Sequence, residues 1–164
     1  MQALPHRYQV KASGQATGDV ELTAERLAVL RSATPAEFGG PGDRWSPETL
    51  LVGAVADCFI LTFRAIAKAS KLPWISLDCE VTGTLDRVDN VTQFTHFNMT
   101  AHLVVPDGTD ERLARRALEK ADRGCLISTS LKGSVTLDAA LVHVKATPVH
   151  DAETEAVETT ADQS

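Results

Sequence analysis

The sequence predicts an α+β fold built around one long apolar helix. Three observations carry that reading. A strong helix start at Ser46-Pro47-Glu48 opens an apolar stretch that runs to Ser70. Two long runs rich in β-formers, 74–87 and 92–105, succeed one another directly, as the arms of a hairpin do. The order is then short strands, long helix, hairpin, helix, strand, without the strict alternation of a doubly wound fold. At 164 residues and 43% hydrophobic content the chain has material for one domain with a real core.

In chain order, "HRYQVKASG" alternates Tyr8 and Val10 with polar neighbours and reads as a strand. Gly14 to Gly18 turns, and "DVELTA" and "LAVLRSA" come next as two more strands. "EFGGPGDRW" is dense in Gly and Pro and reads as a loop. Ser46 caps the long helix, Pro47 suits its first position, and Glu48 faces the positive end of its dipole. Leu72-Pro73 stops it. Its polar stripe is thin (Asp57, Arg64, Lys68, Lys71), so most of its circumference needs cover from a sheet or a second subunit. Val88-Asp89-Asn90 turns the hairpin. After the Asp107-Gly108 turn, Thr109 is expected to cap a second helix whose buried stripe is Leu113, Ala114, Ala117, Leu118 and Ala121. Gly124 stops that helix, "CLISTSL" forms one short helical turn, and "GSVTLDAALVHVKA" closes the fold as a strand.

Charge and composition exclude several function classes. A formal net charge of −6 and a pI near 5.3 oppose binding to nucleic acid or an anionic membrane. Residues 1–147 are expected to form the domain, and 148–164 a disordered acidic tail, with five acids and no Lys or Arg from His150 onward. The N-terminal stretch has neither a signal core nor transit character. The apolar stretch Leu50–Ile66 is interrupted by Asp57 and Arg64 and falls short of the roughly 20 residues a bilayer needs. Three widely spaced cysteines are no disulfide framework, and without a CxxC pair no metal site or cofactor is expected. A cytoplasmic protein with reduced or cycling thiols is the expectation.

Few residues are candidates for chemistry. Cys58 shares a helical face with Leu51, Ala54, Val55, Leu61, Thr62 and Ala65. It is either a small buried hydrophobe or a sulfur held in a reactive setting. Cys125 begins a new turn just after Gly124, where free backbone amides would point at its sulfur and lower its pKa. Cys79 alternates with Leu77 and Val81 and reads as core packing. Glu48 is either a first-turn carboxylate complementing the dipole or the group that orients a guanidinium, for which Arg44 is the nearest candidate. His96 and His102 lie on one strand face with no acid or cysteine to complete a metal set. The two Asn-x-Thr triplets carry no glycosylation meaning without secretion. The Gly-rich loop fits no phosphate or dinucleotide motif.

Two of these segments together resemble the OsmC/Ohr family of thiol peroxidases. "GGPGDRWSPETLLVGAVADCF" resembles its Gly loop, Pro-Glu helix start and a cysteine ten residues after the Glu, which Glu48 and Cys58 reproduce. "GCLISTSL" resembles its second-cysteine segment, with Ser128 at the serine and Leu126 where a proline is usual. The resemblance implies an OsmC-like fold, with antiparallel sheets packed around the long helix, and an intertwined homodimer with two sites at the interface. It implies that Cys58 attacks an organic hydroperoxide, that Cys125 resolves the sulfenic acid as a disulfide, and that a dithiol such as a lipoyl group recycles the pair. The family arginine is not matched: Glu37 and Asp19 stand at its two alternative positions. Arg44, held by Glu48, is the expected substitute. The competing expectation is a non-catalytic dimer of the same fold, binding an apolar ligand or partner in its interface pocket.

Overall fold

The computed structural model describes residues 3–145, so the predicted tail at 148–164 lies outside the described residues. A small antiparallel meander comes first: β1 (Lys11–Ser13), β2 (Val20–Thr23) and β3 (Leu30–Ser32). Strand β1 is shorter than the alternation of Tyr8 and Val10 predicts. Both side chains are exposed, so the alternation has no apolar surface to lie against within one chain. A bridge from Ser32 to Trp45 ties the meander to the residues just ahead of the long helix, and the Ala33 N–H donates to the Trp45 carbonyl at 2.8 Å.

Helix α1 (Pro47–Ser70) begins on a closed capping box. The Ser46 Oγ accepts from the Thr49 N–H at 3.2 Å, and the Ser46 N–H donates to Thr49 Oγ1 at 2.8 Å. Lys71 ends it in a left-handed conformation. Helix α1 has the bounds the sequence predicts, and by length and composition alone its 24 residues could cross a bilayer. It builds a core instead. Val55, Phe59, Phe63 and Ala67 form a fully buried row at three- and four-residue spacing. Each phenylalanine so buried contributes about 1.5–3 kcal/mol, and Phe63 adds an edge-on contact with Trp74 at 5.4 Å. The rest of the circumference is not closed over within one chain, and Leu61 stays 48% exposed.

β4 (Ser76–Val88) and β5 (Val91–Pro106) form the predicted antiparallel hairpin. Asp89 and Asn90 both take positive φ, the pairing a two-residue turn between twisted strands requires. Helix α2 (Glu111–Gly124) is capped by Asp110, one residue later than expected. The Thr109 hydroxyl is occupied in closing the turn onto the Pro106 carbonyl at 2.7 Å, while Asp110 Oδ1 accepts from the Arg112 and Leu113 amides. Ala114, Ala117, Leu118 and Ala121 are buried as predicted. α3 (Leu126–Thr129) is the single turn expected after Cys125.

β6 (Ser134–Val144) corrects the expectation of antiparallel sheets, because it lies parallel to β5 along its whole length. The reason is topological: α2 and α3 carry the chain back to the end where β5 began, as a parallel pair demands. The core lies between the inner face of β4–β5–β6 and the helices α1 and α2. Gly83 lets α1 approach the sheet, since a Cβ there would stand 2.7 Å from Val52 Cγ2 and 2.9 Å from Phe94.

Candidate active site

Cys58 sits on the flank of the buried row of α1, half-buried. The end of α2 packs against this part of α1, where a Cβ on Gly124 would lie 3.4 Å from Thr62 Cγ2. The next residue, Cys125, is therefore fully buried beside α1. The fold thus brings together the two cysteines that are far apart in sequence. Both are free thiols.

The electrostatics of the pair are asymmetric. Burial acts most strongly on Cys58 and opposes its ionisation. Four hydrogen bonds outweigh that effect and lower its pKa: the Ile127 N–H, the Cys125 thiol, the Thr62 hydroxyl at 3.9 Å and the Leu126 N–H. Cys125 moves the other way. Burial pushes it up, and so does donating its own proton toward Cys58. The Ser128 hydroxyl, 3.2 Å from Cys125 Sγ, only partly offsets this. Here the structure corrects the expectation for Cys125: the Leu126 and Ile127 amides of α3 serve the Cys58 sulfur, and the Ser128 amide and hydroxyl that act on Cys125 do not overcome its burial, so its pKa rises.

Cys79, on the α1-facing side of β4, packs against the core as predicted. Burial, and after it the proximity of Cys125, push its thiol up to about 11. It is the least ionisable of the three.

Arg44 and Glu48 do not meet in the expected way. The Arg44 Nε donates to Asp19 at 3.1 Å and its other arm to Asp43 at 3.0 Å. The Asp19 hydrogen bond and the two neighbouring charges hold its pKa above the ordinary value. Asp19 and Asp43 capture the guanidinium because both flank it at the foot of the loop, whereas Glu48 is turned inward by the first turn of α1. One Glu48 oxygen, Oε2, is buried with no hydrogen-bond partner among the described residues. It lies in a mostly apolar groove of about 820 Å³ between the start of α1 and the outer half of β4, whose lining includes Glu37, Val52, Cys79, Gly83 and Arg87. Cys58 and Cys125 are not part of that lining.

Sequence reasoning missed the donors to Cys58. Thr62 was legible at i+4 on the same helical face, but the Leu126 and Ile127 amides become partners only through the packing of α2 on α1. His96 is held in a polar network with Ser134, Asn98 and Thr136 on the outer sheet face, with His96 Nδ1 2.6 Å from Ser134 Oγ. Among the described residues no cluster of His, Cys, Asp and Glu could hold a metal ion.

Comparison with known proteins finds relatives of the chain and of its fold. The family described as OsmC-like protein matches residues 40–140. The uncharacterized protein YmaD of Bacillus subtilis is 28% identical over 136 residues, which cover 80% of this chain and 91% of YmaD. An organic hydroperoxide resistance protein of Xanthomonas axonopodis pv. citri is 26% identical over 146 residues, covering 85% of this chain and 99% of the relative. Among solved structures, an organic hydroperoxide resistance protein from Legionella pneumophila, also described as a predicted redox protein, superposes with a TM-score of 0.65 at 26% identity. The match covers 84% of this chain and 99% of that one.

Proposed function

Because the chain belongs to the OsmC-like protein family, we propose that it is a cysteine-based peroxidase that reduces organic hydroperoxides, with Cys58 attacking and Cys125 resolving. One observation carries the reading. The more accessible sulfur of the pair is the one whose ionised form is favoured, and a protonated thiol stands against it. A thiolate is the nucleophile such chemistry needs. The Cys58 thiolate attacks the distal oxygen of the hydroperoxide, and an S–O bond forms as the O–O bond breaks. The sulfur gives two electrons to the O–O bond and becomes a sulfenic acid, and the leaving alkoxide takes a proton to depart as alcohol. The Cys125 sulfur then attacks the sulfenic sulfur, an S–S bond forms, and the hydroxyl leaves with the Cys125 proton as water. A dithiol reductant of the lipoyl class returns both thiols by exchange and leaves as its own disulfide.

Glu48 enters this site from a second copy of the chain. A ten-residue separation on one helix places Glu48 and Cys58 about 15 Å apart along its axis, too far for contact. Two antiparallel α1 helices crossing near Gly53 would bring each Glu48 to the other chain's Cys58. Two features support such a homodimer. The β1–β3 meander has no core of its own within one chain, and Leu61, Trp45, Val29 and Leu27 remain exposed.

The direct test is peptide mapping after one equivalent of cumene hydroperoxide. A Cys58–Cys125 disulfide with Cys79 still reduced is expected, alongside one equivalent of cumyl alcohol. No disulfide with both thiols intact would favour the alternative, a non-catalytic dimer binding an apolar ligand. Light scattering at micromolar concentration tests assembly independently: a species of only 17.6 kDa would sink the dimer.

A further inference from the structure

We propose that Arg87, at the end of the β4–β5 hairpin, supplies the positive charge of this site by closing onto Glu48 at the mouth of the groove, where it faces the Cys58 sulfur of a second copy. Which sulfur it faces rests on the peroxidase reading; its pairing with Glu48 does not.

Strand β4 turns every second side chain toward α1, and that row runs Leu77, Cys79, Val81, Gly83, Leu85, Arg87. Arg87 is its last member and the sole cation among the residues lining the groove. The row runs opposite to α1, with Gly83 against Val52. From that contact Arg87 lies about 13 Å further along the strand and Glu48 about 6 Å further along the helix. The two are thus offset by about 7 Å along the common direction, and because both line the same groove the separation is bridged once the arginine and glutamate side chains reach toward each other.

The charges on the groove ask for such a cation. Glu48 from α1, Glu37 from the turn before it, and Glu80 and Asp86 from β4 all line it. Glu80 and Asp86 belong to the alternate row of β4, but the negative charge of Glu48 and Glu37 near a thiolate would by itself oppose ionisation. Among the four, Glu48 carries the buried unpartnered oxygen, so it gains most from a guanidinium. Arg44 is already committed to Asp19 and Asp43, whereas the Arg87 guanidinium makes no ion pair or hydrogen bond with any described residue. A fork-shaped donor on a carboxylate also holds its remaining N–H groups in a fixed direction.

The test measures two quantities on the full-length protein: the pH dependence of Cys58 alkylation, followed by peptide mapping, and the rate with cumene hydroperoxide. Arg87→Ala is expected to raise the Cys58 pKa by about 1 pH unit or more and slow turnover roughly tenfold. Arg87→Lys, which keeps the charge but loses the fork, should fall between it and the unchanged protein. Glu48→Gln should add little on top of Arg87→Ala, because the two act as one unit. If Arg87→Ala and Arg87→Lys both leave the alkylation profile unmoved, or if Arg44→Ala alone moves it, the proposal is overturned. A protein that never turns over hydroperoxide, yet whose Cys58 titration shifts with Arg87→Ala, would retain the cation and lose the peroxidase reading.

Discussion

Cys58 and Cys79 both neighbour Cys125, and both lose hydration where α1 meets its surroundings, yet their thiols move in opposite directions. Burial is the largest influence on each. On Cys79 nothing opposes it, and the thiol rises to about 11. On Cys58 two backbone amides, a hydroxyl and a thiol donate to the sulfur and win. A cluster of cysteines is thus sorted by hydrogen-bond donors as well as by depth: burial alone would raise all three thiols, and the donors reverse its sign at Cys58 only. A cation, where one is present, adds to this sorting instead of creating it.

The harshest test of that contrast is to remove the favoured sulfur. Cys58→Ser is expected to abolish hydroperoxide turnover entirely. Cys125→Ser should still be oxidised once, to a sulfenic acid that dimedone traps, without forming a disulfide. Turnover surviving in Cys58→Ser would mean that another thiol does the work.

Alkylation comes next in size. A thiol with a pKa near 11 is ionised to roughly one part in 10,000 at pH 7. Iodoacetamide at pH 7 should therefore label Cys58 well before Cys79. As pH rises, the Cys58 rate should level off below the ordinary thiol range while that of Cys79 keeps climbing. Equal labelling at pH 7 would erase the distinction.

A subtler change sharpens it. Thr62→Val removes one of four donors with little change of volume. It should raise the Cys58 pKa by less than about 1 pH unit and slow alkylation a few-fold. The smallest effect belongs to Cys79→Ser, which should leave the hydroperoxide rate as it is. A slower rate would show that Cys79 takes part after all.

Much of the fold is legible in the chain itself. Ser46-Pro47 marks the start of α1, Asp89-Asn90 marks the hairpin turn, and the stripe of α2 can be read residue by residue. Those signals are local: capping, turn chemistry and helical periodicity act within a few residues. The features that escape are set by partners distant in sequence. The parallel seating of β6 depends on where α2 and α3 return the chain. Nearness along the chain assigns Arg44 to Glu48, but Asp19, a remote residue, holds it in space. The cap of α2 at Asp110 is a smaller case, decided by which side chain the turn has already used.

The parallel β5–β6 pairing also bears on when Cys58 becomes dangerous to itself. Its sulfur is synthesised early, but the amides that sharpen it sit at the far side of the crossover leading to β6. Contacts of such long sequence separation form late, after the local helices and hairpin. A nascent or half-folded chain therefore carries Cys58 as an ordinary thiol, slow to oxidise. Its reactivity arrives together with Cys125, the group that can rescue it from over-oxidation. The same segment arms the sulfur and guards it, so the fold never exposes one without the other.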